Sequence, residues 1–172
     1  MSAAALMSIL GGYGLTLGPA AGAETCRLSS LRLNPTETVK YATYVGRGKN
    51  LDIVVTSDAG RPADSFSDPP YRIQNRDGKG DCGIVGGNWL ANGLYLSADD
   101  KILVAVELSG SSTDVVLYET ASCTRKAAFD VSGANWSITE NTIDIGAHYA
   151  DESRKKRIPK KTVRLGAKCL PN

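Results

Sequence analysis

The sequence predicts an all-β fold: an antiparallel sandwich or small barrel, laid out as a meander and stapled by two disulfides. Three observations carry this expectation. Short runs rich in Val, Ile, Leu, Thr and Tyr recur from residue 40 onward, separated by clusters of Gly, Pro, Asn and Asp, which is the pattern of strands and turns. No window of eleven residues holds the 3.6-residue apolar period of an amphipathic helix. Four cysteines, Cys26, Cys82, Cys123 and Cys169, stand far apart with no C-x-x-C pair among them. An even count in an exported chain reads as disulfides rather than as a zinc site, which needs close ligand pairs.

Export is read from the first 23 residues. They carry no charge, are rich in Ala, Gly and Leu, and end in Ala21-Gly22-Ala23. Small residues at these positions suit signal peptidase, so residues 1–23 are expected to be a cleaved signal peptide. A basic residue ahead of the apolar stretch is missing. Five glycines and Pro19 interrupt the segment, which argues against a membrane span of about 20 apolar residues. Residues 24–172 then form a single β domain, long enough to bury a core, with no transmembrane segment after cleavage.

The strands follow in order. Residues 40–45 (KYATYV) and 51–56 (LDIVVT) read as a hairpin across the five-residue loop 46–50. Residues 58–70 hold Gly60, Pro62, Pro69 and Pro70 and read as an irregular loop. Residues 71–74 form a short strand, and 75–87 a glycine-rich connection around Cys82. Residues 93–97 lead through the turn Asp99-Asp100 to 101–108 (KILVAVEL). That run is nearly all apolar, so it is expected to be a central strand buried on both faces. Ser109-Gly110-Ser111-Ser112-Thr113 is a tight polar loop, and 114–119 (DVVLYE) returns. A turn at 120–123 leads to the strand 125–131. Residues 136–139 and 142–145 pair across Glu140-Asn141, with Trp136 and Ile138 on one face and Ile143 and Ile145 on one face. Residues 162–165 form the last strand. Residues 93–146 resemble one blade of a β-propeller, which implies a four-stranded meander there. The chain is too short for the four or more blades a propeller needs.

Three disulfide connectivities are open to four cysteines. Cys26–Cys169 with Cys82–Cys123 is preferred, because the first pair would tie both mature ends together. That bond would contribute about 4–5 kcal/mol in the chain-entropy model.

Charge is unevenly spread. Residues 147–172 hold eight Lys or Arg against two acids, a surplus of six. The overall net charge is +2, so residues 24–146 carry about −4. The basic C-terminal segment 154–168 opens on Arg154, Lys155, Lys156 and Arg157, with Lys160 and Lys161 following. No aromatic residue interleaves these cations, so base stacking has no platform and nucleic acid is not the expected partner. An anionic surface or an acidic protein is.

Catalytic signals are sparse. His148 is the only histidine, so any Ser-His-Asp or Cys-His arrangement has to use it. There is no G-x-S-x-G elbow. The ordinary reading of His148 is a surface or hydrogen-bonded histidine. Carboxylates near aromatics (Glu107, Glu119, Asp130, Asp144) admit a glycosidase-type pair, but each sits equally well on the polar face of a strand. Residues 75–81 alternate oxygen donors as calcium loops do. Lys79 fills the place of a third ligand, and Gly86 stands where the closing acid belongs. No metal ligand or cofactor is assigned. The sequon at Asn135 falls on a strand start. Trp89, Trp136, Tyr95 and Tyr118 are either a ligand shelf or, more ordinarily, core.

The expected function is therefore an exported, periplasmic or secreted, non-catalytic binding domain. An inhibitor or immunity-type protein that recognises another protein or an envelope polymer through its loops fits best. The residues expected to bind are Ser109, Gly110, Ser111 and Ser112, with Arg154, Lys155, Lys156 and Arg157. The alternatives are an envelope-associated structural or adhesion domain using the basic segment, and, behind that, an exported carboxylate hydrolase.

Overall fold

The computed structural model describes residues 25–37, 40, 42–58, 60–67, 71–150 and 153–172. The signal-peptide expectation for residues 1–23 lies outside them, as do Tyr41, Pro69 and Pro70. All secondary structure among the described residues is β, and every strand pairing is antiparallel. Three sheets stack around two cores, so the sandwich has three layers.

The central sheet holds the strongest sequence signal. Its order is β1 (Leu28–Ser30), β8 (Asn88–Ser97), β9 (Ile102–Ser109), β10 (Ser112–Glu119) and β11 (Thr124–Asp130), with β5 (Ser65–Ser67) pairing to the start of β8. Strands β8 to β11 are the expected meander. Strand β9 is buried on both faces, as its unbroken apolar run requires. Leu103 and Ala105 point into one core, while Ile102, Val104 and Val106 point into the other. Each such side chain contributes about 1.5–3 kcal/mol on leaving water, before ordering entropy is subtracted.

The first core lies against the second sheet: β2 (Asn34–Pro35), β3 (Thr43–Arg47), β4 (Leu51–Thr56), β6 (Tyr71–Asn75) and β7 (Cys82–Ile84). Rings run through it in contact: Tyr44, Phe66, Tyr71, Trp89 and Tyr118, with centroids 4.8–6.4 Å apart. This corrects the shelf reading, since Trp89 and Tyr118 are interior, and Tyr95 and Trp136 pack half-buried on the second core. Tyr71 OH and Trp89 Nε1 have no hydrogen-bond partner among the described residues, and burial pushes the Tyr71 phenol far above its ordinary range.

The second core lies against β12 (Trp136–Ile138), β13 (Thr142–Ile145) and β16 (Lys161–Arg164). Trp136 pairs with Ile145 and Ile138 with Ile143, so all four face this core as the alternation predicts. A fourth, two-stranded sheet joins β14 (His148–Tyr149) to β15 (Arg157–Ile158).

Both disulfides take the preferred pairing: Cys26 to Cys169 and Cys82 to Cys123. The first closes the second core at the chain ends, with both residues buried.

Several local expectations are corrected. The 46–50 loop shrinks to three residues, because Gly46 and Arg47 continue β3 opposite Ile53 and Asp52. Gly46 fits there for lack of a Cβ, which would meet Leu31 at 2.9 Å. The irregular 58–70 stretch contains β5, where the single apolar residue Phe66 is buried between two exposed serines. The 75–87 connection contains β7, and β8 starts five residues early with an irregularity between Trp89 and Leu94. Ser109 and Ser112 belong to the strands, leaving a two-residue turn.

Candidate functional site

One end of the central sheet gathers the expected binding residues. Strands β9 and β10 close with Ser109 opposite Ser112, so Gly110 and Ser111 form the tip. Gly110 takes φ +58° with open space around it. A glycine at the first central position suits the turn whose twist matches the flanking strands. All four tip residues are exposed, yet they rise from strands buried on both faces.

The base of the tip is tied to the turn after β11. The Thr113 amide donates to Ser132 Oγ at 2.9 Å, and the Val131 amide to the Thr113 carbonyl at 2.8 Å. The Ser132 amide donates to Asp130 Oδ1 at 2.8 Å. Hydrogen bonds from the Ser132 side chain and backbone, with a smaller effect of His148, hold the Asp130 carboxyl below the usual range.

Two grooves flank the tip. The first, about 670 Å³, is lined by Ser111, Ser112, Ser132, His148, Tyr149 and Arg154, among others. It brings together the two segments singled out in sequence, which lie over forty residues apart. His148 is buried there with Nδ1 3.1 Å from the Gly146 carbonyl, the ordinary hydrogen-bonded histidine. Arg154 lies in the β14–β15 connection at φ +53°, its guanidinium 6.0 Å from the Tyr149 ring centroid. Lys155, Lys156 and Arg157 are exposed beyond the groove. None of these four cations forms an ion pair with a described residue.

The second groove, about 610 Å³, lies on the other side of Ser109 and Gly110, with Gly86, Gly87, Glu107, Asp114 and Arg125 in its walls. Glu107 and Asp114 are cross-strand neighbours. Glu107 accepts a hydrogen bond from the Tyr118 hydroxyl. Burial, then this carboxylate, push the Tyr118 phenol above its ordinary range. Of the four acids considered for a catalytic pair, no two share either groove. Asp144 is taken up by Thr162 and Thr142, and Glu119 by Ser122 and Lys126.

The loop with calcium-like spacing is closed by its own oxygens. Asp81 Oδ1 accepts from the Asn75 amide and Asp77 Oδ1 from the Lys79 amide. Among the described residues no group of three or more His, Cys, Asp or Glu is placed to hold a metal ion.

Sequence reasoning missed Gly86, Gly87, Ser132 and Tyr149. Gly86 and Gly87 come from the β7–β8 connection, Ser132 from the turn after β11 and Tyr149 from β14 itself, and no local motif marks them.

A family model described as "Immune protein Tsi1" matches residues 26–169. The chain belongs to the Tsi1 immune protein family. The matched span begins and ends on the two cysteines of the outer disulfide, so the family match and the covalent closure of the fold coincide. The "Immune protein Tsi1" of Pseudomonas aeruginosa strain PAO1 is 35% identical over 91 residues, 52% of this chain and 53% of that relative. The match thus spans about half the length of this curated Tsi1.

Proposed function

We propose that this Tsi1 family member is an exported immunity protein that binds a toxin and blocks it with the β9–β10 tip. Family membership supports the immunity role. The observation that carries the site is the tip itself: four exposed polar residues on a hairpin whose strands are buried on both faces. Such a tip enters a concave active site with little ordering cost, because its shape is set before contact. Small polar residues with hydroxyl groups supply hydrogen bonds inside a polar cleft. The periplasm is the proposed site of action, and the two disulfides fit an oxidising compartment.

The test is co-production with a candidate toxin, an exported protein drawn from the genes neighbouring this one. That protein, sent to the periplasm of a heterologous host, should arrest growth, and this chain should restore it. Ser111→Trp adds bulk only at the exposed tip. It should abolish rescue and weaken binding at least a hundredfold without lowering the melting temperature. Rescue by the variant would exclude the tip. Failure of the unaltered chain to rescue would exclude the immunity reading.

A second reading keeps the basic segment for an envelope polymer. It is favoured by the exposure of all six cations between residues 154 and 161. It requires association with anionic polymer that weakens as salt rises. Neutralising the six cations should abolish that association.

A further inference from the structure

Among the described residues, two large hydrophobic side chains are strongly exposed: Val85 at 74% and Tyr149 at 47%. The remaining large apolar residues are buried or half-buried, so these two are exceptions that need a reason. Both lie at the tip end of the molecule, one on each side. Val85 adjoins Gly86 and Gly87, which wall the groove beside Ser109 and Gly110. Tyr149 walls the opposite groove beside Ser111 and Ser112.

Neither is a loose side chain on a loose loop. Val85 follows β7, which pairs with β6 and is pinned through Cys82 to Cys123. The backbone after it presses on the core, since a Cβ at Gly87 would stand 3.3 Å from the Trp89 indole. Tyr149 pairs with Arg157 in the β14–β15 sheet and carries Arg154 by its ring. Anchors held in place before contact lose little freedom on binding.

The two sides also differ in charge. On the Val85 side, Glu107 and Asp114 stand with the single cation Arg125. On the Tyr149 side, Asp130 is the one acid lining the groove, while Arg154, Lys155, Lys156 and Arg157 are exposed and form no ion pair with a described residue. A face polarised this way accepts a complementary partner in one orientation and disfavours the reverse.

We propose that Val85 and Tyr149 are the apolar anchors of a face that straddles the hairpin tip. Its occupant is the toxin of the preceding section, on which this inference rests. The toxin docks with an acidic surface over residues 154–157 and apolar contacts on both shoulders of its cleft.

The experiment uses the full chain co-produced with the candidate toxin of the rescue test above. The photo-crosslinker p-benzoylphenylalanine is placed singly at positions 85, 149 and 77. Position 77 is the control. Its neighbour Arg76 binds the Asn50 carbonyl, and the Asn50 amide binds Asp100, which lies at the opposite end of β9 from the tip. Crosslinks to the toxin are expected from 85 and 149 and not from 77. Val85→Ser should then raise Kd about tenfold and Tyr149→Ser about thirtyfold, with unchanged melting temperatures. No crosslink from 85 or 149 while the complex forms, or Kd values within twofold of the parent for both variants, would overturn the anchors and leave the immunity reading intact. No complex between the toxin and the unaltered chain would overturn both.

Discussion

Removing the outer disulfide should be the most damaging change that leaves the interior side chains otherwise intact. Cys26 and Cys169 are 143 residues apart, while Cys82 and Cys123 are 41 apart. In the chain-entropy model, closing loops of these lengths is worth about 5 and about 4 kcal/mol. A domain of this size has a total stability of about 5–15 kcal/mol, so the outer bond carries a large share. Its location adds to the effect. The first core is covered by the five- and six-residue strands β3, β4 and β6, whereas the N-terminal end of the second is held by the three-residue β1 and by the Leu28 amide on the Glu140 carbonyl. Cys26→Ala combined with Cys169→Ala should therefore cost about 3–5 kcal/mol and lower the melting temperature by about 10–15 °C. Urea unfolding followed by tryptophan fluorescence measures this, since Trp89 sits in the first core and Trp136 packs on the second. The Trp136 signal should respond first. A loss under about 1 kcal/mol would refute the loop-length reasoning, as would a loss smaller than that of the Cys82→Ala, Cys123→Ala pair.

Three further outcomes are expected. Tyr71→Phe removes a buried hydroxyl that has no partner among the described residues, so it should leave stability unchanged or raise it by about 1 kcal/mol; a loss above 1 kcal/mol in urea unfolding would mean the hydroxyl is bonded. Gly93→Ala puts a Cβ 2.7 Å from Val106 Cβ on the neighbouring strand, and should cost about 1–3 kcal/mol by thermal melting. Asp130, lowered chiefly by Ser132, contributes stability that is present above the ordinary carboxyl pKa of about 3.9 and lost as pH falls through its lower folded value; Ser132→Ala should move its carbon NMR titration up toward that ordinary value.

What the sequence disclosed depended on how many neighbouring residues shared one signal. Residues 101–108 are apolar without interruption, and only a strand covered on both faces accommodates that; the two cores divide its side chains by parity. The 136–145 hairpin was legible because alternation on both arms fixes which faces meet. Strand β5 was hidden because its burial rests on Phe66 alone, flanked by serines. Strands β1, β2, β14 and β15 are two or three residues long, too short to show any period. The tip was legible as a polar break between two apolar runs. Its grooves were not, because their walls draw on connections after β7, β11 and β14 and on β14 itself, which only the folded sheets bring together.

The three-layer arrangement also suits the short tip to the binding role proposed for it. A two-layer sandwich leaves one face of each strand in water, so a hairpin at its end bends on one side. Here β9 and β10 are covered on both faces up to the Ala105–Val116 pair in the first core and the Val106–Val115 pair in the second, with three more residue pairs before the turn. The Thr113 bonds to Val131 and Ser132 continue the clamp past the last core layer. The freedom left to Gly110 and Ser111 is that of a two-residue turn, and its loss on binding is correspondingly small. A loop of the five residues expected from sequence would have to surrender more. Shortening the loop to two residues and burying both faces of its strands act in the same direction: they spend stability in the fold so that little remains to be ordered at the interface.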